Sequence, residues 1–166
     1  MPSIVPTFEF LEGLAWTTAL RESPYGYPLI ETSHVACIVV FAGLVIMMDL
    51  RLVGLAFTNA PLAQIQRRLF PWQMATFIPS MATGILLFCV DPLRYYNNVF
   101  FLAKLVFLAL AGLNALAFHL KTYGRADVWD EEPQFIATAR WAGGASLLLW
   151  SLLIVSSRLI PNNWFK

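Results

Sequence analysis

The chain has 166 residues, of which 58% are hydrophobic and 13% are charged, with a formal net charge of +1. A soluble domain carries about 25% charged residues, so an ordinary water-soluble globule is excluded, as is a disordered chain. The balanced charge offers no basic stripe, which excludes nucleic-acid binding.

Residues Phe8 to Leu20 open the chain with an amphipathic pattern. Phe8, Leu11, Leu14, Ala15 and Trp16 fall near helical spacing, with Glu9 and Glu12 off that face. One helix is predicted here, either lying in the membrane interface or folded onto the end of a bundle. The first basic residue is Arg21, so the positive n-region of a secretory signal peptide is not expected.

Four stretches then reach the roughly 20 mostly apolar residues that cross a bilayer. The first span runs from Leu29 to Phe57 and stops at Asn59-Ala60-Pro61, because proline removes a donor and pushes its predecessor out of helix. A polar segment with Gln64, Gln66, Arg67 and Arg68 precedes Pro71, and the second span follows from Trp72 to Val90. Asp91-Pro92 ends it, and Arg94 to Asn98 makes an interfacial turn. The third span runs from Val99 to Leu120, and Lys121 to Pro133 is the longest polar loop. The fourth runs from Phe135 to Val155, and the chain leaves the membrane at Arg158 and Pro161. The predicted fold is all-α: an integral membrane four-helix bundle over 29–158, an interfacial segment over 1–28 and a tail over 159–166.

Tyr25, Tyr27, Trp72, Tyr95, Tyr96, Tyr123, Trp129 and Trp164 cluster at the span ends, where amphipathic rings prefer to sit. Arg51, Arg67, Arg68, Lys121, Arg125 and Arg140 flank two loops on one side, against Arg21, Arg94, Arg158 and Lys166 on the other. Six against four favours both termini outside. Ala111, Gly112, Ala115, Gly143, Gly144 and Ser146 let helix backbones approach closely, as in a tight bundle or an oligomer.

Ionisable residues inside a membrane are costly, which makes each a functional candidate. His34 and Asp49 lie in the first span, Lys104 and His119 in the third, and Arg51 stands at the first span's end. His34 can ligate a metal through one ring nitrogen while the other donates a hydrogen bond, or it can simply bond a neighbouring helix. Lys104 lies about 8 Å into its span, counted from Val99. From there it can pair with an acidic cofactor group, ligate a metal, move a proton or snorkel to the headgroups. His119 lies about 30 Å along the same helix, near the face that Asp49 and Arg51 reach. Asp49 and Arg51 can also pair with each other or anchor the helix end. An offset of about 20 Å along the membrane normal keeps His34 and His119 of one chain off a common iron. His34, Cys37 and Cys89, with Met47, Met48, Met74 and Met81 as soft donors, would suit Cu(I). Two cysteines in apolar runs make no disulfide framework. There is no Gly-rich phosphate loop, no Gly-x-Ser-x-Gly elbow and no His-Glu-x-x-His pair.

The stretch His34-Val-Ala-Cys-Ile-Val-Val-Phe-Ala-Gly-Leu44, with its small step at Ala42-Gly43, resembles the first helix of a bacterial membrane superfamily. That superfamily includes HemJ-type protoporphyrinogen oxidases and CopD-type copper-resistance membrane domains. Ala103-Lys104-Leu-Val-Phe-Leu-Ala109 is similar to the lysine-bearing helix of HemJ-like proteins. The whole chain resembles bacterial four-helix membrane proteins of unknown function. The resemblance implies haem b, with the helix-one histidine and helix-three lysine essential; here these are His34 and Lys104. The expectation is a haem b protein of the bacterial inner membrane, both termini periplasmic, moving electrons between the quinone pool and a partner protein. His34, Lys104, His119 and Arg51 are the candidate cofactor-binding residues, and His34 and His119 the candidate metal ligands, with His119 available to a second haem. A neighbouring subunit would complete the ligation, in a homo-oligomer or a larger complex. A HemJ-like oxidase, a copper-handling module and a cofactor-free structural subunit are the alternatives.

Overall fold

A computed structural model describes residues 5–122 and 133–162. The loop expected over Lys121–Pro133 therefore falls almost entirely outside the described residues, as do Tyr123, Arg125, Trp129, Trp164 and Lys166.

Among the described residues the chain forms seven α-helices and no strand: α1 (Val5–Glu12), α2 (Ala15–Glu22), α3 (Gly26–Val53), α4 (Leu62–Val90), α5 (Pro92–Tyr96), α6 (Val99–Thr122) and α7 (Pro133–Leu159). A 3-10 turn, Ile160–Asn162, follows α7. Helices α3, α4, α6 and α7 are long and apolar enough to cross a membrane. They are apolar on their outward faces too: Leu29, Val39, Leu113, Leu148 and Val155 are all exposed. A helix that is hydrophobic all round is stable outside a protein core only where lipid replaces water. The chain is a multi-pass membrane protein.

The span limits shift from the sequence expectation for identifiable reasons. Helix α3 stops at Val53, short of the expected Phe57, because Gly54 takes the left-handed conformation (φ 87°). Gly54 N–H donates to the Arg51 carbonyl at 3.1 Å and Leu55 N–H to Leu50 at 2.9 Å, the Schellman pattern that closes a helix. Helix α4 begins at Leu62, ten residues before the expected Trp72, so Gln64 to Arg68 are helical. Its 29 residues extend about 43 Å, beyond a hydrocarbon core of about 30 Å, so the polar first turns need no break. Pro71 and Pro79 lie inside it. Transmembrane helices tolerate such prolines because neighbouring groups take up the freed carbonyls.

The expected single N-terminal helix is two. Gly13 and Leu14 separate α1 from α2, and Thr17, fully buried, ties the corner: its Oγ1 lies 2.9, 3.1 and 2.8 Å from the carbonyls of Leu11, Glu12 and Leu14. The pair is folded onto the bundle end. Helix α1 packs on α4 and α5, and α2 packs on α3 and α4. Arg21 bonds Glu12 at 2.9 Å and the Val90 carbonyl at 3.3 Å.

Helix α3 packs on both α4 and α7, and α7 packs on α6. Helices α4 and α6 pack on one another far less than either packs on its neighbour. Helices α1, α2, α5 and the closing 3-10 turn gather at one end of the bundle, the terminal end; Gly54–Pro61 lies at the other, the loop end. At the loop end α3 and α7 cross closely: a Cβ on Gly143 would stand 2.7 Å from Leu52 Cβ. At the terminal end Asn98 is buried and caps α6. Its Oδ1 accepts from Phe100 and Phe101 N–H at 3.0 and 3.2 Å, and its Nδ2 donates to the Ile160 carbonyl at 2.8 Å. Asn114 Nδ2 donates to the Ala142 carbonyl at 2.9 Å, joining α6 to α7.

Candidate cofactor site

The site begins with one histidine on α3. His34 Nδ1 lies 2.9 Å from the Ser80 carbonyl and 3.1 Å from Thr83 Oγ1, both on α4. A carbonyl can only accept, so Nδ1 carries the proton. Nε2 has no hydrogen-bond partner among the described residues and keeps its lone pair. Gly84 makes room for the ring: a Cβ there would stand 3.0 Å from His34 Cε1. Ser80, Thr83 and Gly84 occupy positions i, i+3 and i+4 on one face of α4, a small and polar face inside an apolar helix.

His34 lines two adjoining cavities. The smaller, about 240 Å³, lies between all four spans, walled by Phe41, Phe77, Met81, Lys104 and Trp150 among others. Phe41 sits between Phe77 and Trp150, with ring centroids 5.1 and 5.2 Å away. Trp150 and Leu153 are buried, so this wall is fixed by packing. The larger cavity, about 550 Å³, extends toward the terminal end, where Tyr27, Glu31, Arg94 and Tyr95 line it. An aromatic cluster closes that end: Phe88 of α4 stacks on Phe101 of α6 at 5.6 Å, Tyr95 lies 5.0 Å from Phe101, and Phe8 lies 5.8 Å from Phe88. Burial, and then the hydrogen bond with Tyr27, holds the Tyr95 phenol above its ordinary value.

Lys104 lines both cavities, as His34 does. Among the described residues it has no hydrogen-bond or ion-pair partner. An ammonium held in an apolar wall without a counter-charge is an expensive arrangement, and among the described residues no other Lys, Arg, Asp or Glu lines the smaller cavity.

The remaining sequence candidates stand elsewhere. His119 lies 15 residues beyond Lys104 on α6, about 22 Å along the axis, and lines neither cavity. Arg51 grips the Ala60 carbonyl through Nε and Nη2 at 3.1 and 3.0 Å, which fastens the Gly54–Pro61 loop. Asp49 is buried and hydrogen-bonded to Ser146 of α7. Cys37 and Cys89 are half-buried free thiols that line neither cavity. No three His, Cys, Asp or Glu side chains converge among the described residues. The structure thus brings His34 and Lys104 together and leaves His119 and Arg51 apart from them. Ser80, Thr83, Gly84 and Trp150 are not among the sequence candidates; the i, i+3, i+4 run of small and polar residues on α4 is the available signal for three of them.

The chain matches no family model, no curated protein sequence and no solved structure.

Proposed function

We propose that the cavity around His34 holds b-type haem and that the protein carries electrons within the bilayer. One observation carries this reading: the Nδ1–H of His34 is spent on the Ser80 carbonyl while Nε2 is left with a free lone pair. That is the arrangement by which a protein fixes the tautomer and orientation of a metal-ligating imidazole. The rest of the site suits a large, flat, mostly apolar group with acidic substituents. Its walls are aromatic and aliphatic, and Lys104 supplies a cation that nothing in the described chain neutralises. The larger cavity, at about 550 Å³, falls within the range of about 300–1,000 Å³ typical of ligand sites, and the smaller one adjoins it.

Bound haem would supply reversible one-electron chemistry at its iron. The chain's own residues do the rest. His34 would ligate the iron, Ser80 and Thr83 hold its ring, Gly84 leaves it space, and Phe41, Phe77 and Trp150 would keep water from the group. Helices α4 and α6 pack far less on one another than on their neighbours, so in a bilayer lipid would border the cavity on that side, which favours a membrane-dissolved partner such as a quinone. The Lys and Arg bias of the loops favours periplasmic termini in a bacterial inner membrane. His34 would be the residue of this chain that holds the iron, and any further ligand would come from a partner molecule or a second copy of the chain.

Protein purified from haem-replete cells is expected to show a Soret band and a pyridine haemochromogen of haem b, and His34→Ala to lose most of both. A colourless, folded preparation that also fails to take up added haemin overturns the reading.

A further inference from the structure

The larger cavity is not uniformly apolar. Arg94 and Lys104 both line it, against one acidic side chain, Glu31, which is exposed on α3 one turn toward the terminal end from His34. Lys104 has no hydrogen-bond or ion-pair partner among the described residues. Arg94 reaches Asp91 only at 3.8 Å and lies 6.0 Å from the Tyr95 ring centroid, so most of its donors are unspent. Lys104 is a few residues into α6, and Arg94 belongs to α5 beyond the span. The two cations therefore mark out the side of the cavity that runs from His34 to the terminal end.

We propose that Lys104 and Arg94 together bind the two propionate carboxylates of the macrocycle, so that the site selects a dianionic porphyrin and turns its acidic edge to the terminal end. The inference rests on the haem reading and assigns Lys104 as a charge partner rather than an axial ligand. A carboxylate brought to Lys104 gives a charge-assisted hydrogen bond in a low-dielectric wall, and Arg94 offers a planar fork that suits a carboxylate. Glu31 is the opposing charge on the same rim and weakens the selection.

The test is titration of the detergent-purified full-length protein with haemin and with haemin dimethyl ester, followed at the Soret band. The ester keeps the ring and the iron and removes both negative charges. Haemin is expected to bind roughly ten- to a hundredfold more tightly than the ester. Lys104→Met and Arg94→Gln should narrow that gap by weakening haemin alone, Lys104→Met the more strongly because its site is the more buried. Unchanged ester binding then shows that the variants are folded. Glu31→Gln should tighten haemin and leave the ester unchanged. Equal affinity of the native protein for haemin and ester overturns the propionate assignment while leaving the haem reading intact. Failure of the native protein to bind either one overturns the haem reading and this inference with it.

Discussion

His34 on α3 donates its Nδ1 proton to the Ser80 carbonyl on α4 at 2.9 Å, and Gly84, one turn along α4, leaves the space the ring occupies. Ordinarily the Ser80 carbonyl serves the helix ladder of α4. Here it also accepts from His34, with the Thr83 hydroxyl 3.1 Å away. The imidazole is thus held by a helix carbonyl together with the Thr83 hydroxyl, and its free nitrogen is correspondingly well oriented.

Gly84 is therefore the residue at which a small change should have a large effect. A methyl group there would stand 3.0 Å from His34 Cε1, so the ring must move and its bond to Ser80 lengthens. Gly84→Ala is expected to lower haem occupancy, and Gly84→Val to lower it further, with helical content unchanged by circular dichroism. Gly112→Ala and Gly144→Ala serve as controls, since nothing lies within 4 Å of either added Cβ. Alanine is the better helix former by about 0.8–1.0 kcal/mol, so both controls should hold haem normally and melt no earlier than the parent. Full occupancy in Gly84→Val would show that His34 is not positioned as described.

At the loop end the same logic concerns packing alone. A Cβ on Gly143 would stand 2.7 Å from Leu52 Cβ and 3.0 Å from the Asp49 carbonyl oxygen. Neither backbone nor Cβ atoms can swing aside, so α3 and α7 must separate. Gly143→Ala is expected to cost about 1–3 kcal/mol, read as a lowered thermal midpoint in detergent. The adjacent Gly144→Ala should show no such loss. Equal midpoints for the two variants would mean that α3 and α7 do not cross at Gly143.

Much of this arrangement was legible in the sequence. Spans of about 20 apolar residues are unambiguous by length, and Asp91-Pro92 marks the end of α4 where the sequence placed it. His34 and Lys104, both candidates on sequence grounds, line the same cavities. Boundaries set by a single backbone angle were not legible. Gly54 ends α3 because it tolerates a left-handed φ, and an apolar count continues through it to Phe57. The corner at Gly13 depends on three carbonyls meeting Thr17, a tertiary arrangement that helical periodicity does not encode. Arg51 was a cofactor candidate because it is a cation near the membrane. Its grip on the Ala60 carbonyl emerges only once the chain turns back toward α4.

The aromatic cap should give the terminal end a pH response of its own. Burial, then the Tyr27 hydrogen bond, raises the Tyr95 phenol above its unfolded value of 10.0. The neutral form is the one the fold prefers. Its contribution is therefore fully present below about pH 10 and is lost as pH rises from there through the raised folded value. Thermal midpoints measured between pH 9 and pH 11 should fall more steeply for the native protein than for Tyr95→Phe, which keeps the ring against Phe101 and removes the ionisable hydroxyl. Parallel slopes would mean that Tyr95 is open to solvent in the folded protein.

Asp49 carries the last expectation. It is 4% exposed inside α3, it shares a hydrogen bond with Ser146 across the α3–α7 crossing, and its Oδ2 is buried with no hydrogen-bond partner among the described residues. An asparagine has the same shape and can keep the bond to Ser146 without bringing a formal charge into the span. Asp49→Asn, which keeps that bond, is expected to be clearly the less damaging of two substitutions at this site. Asp49→Ala removes the bond and leaves Ser146, itself buried, to find another partner, at a cost of about 1–3 kcal/mol. Thermal midpoints in the same detergent compare the three proteins directly. If Asn proves as damaging as Ala, the negative charge itself is required at this crossing, and a cation must meet Oδ2 in the membrane-embedded protein.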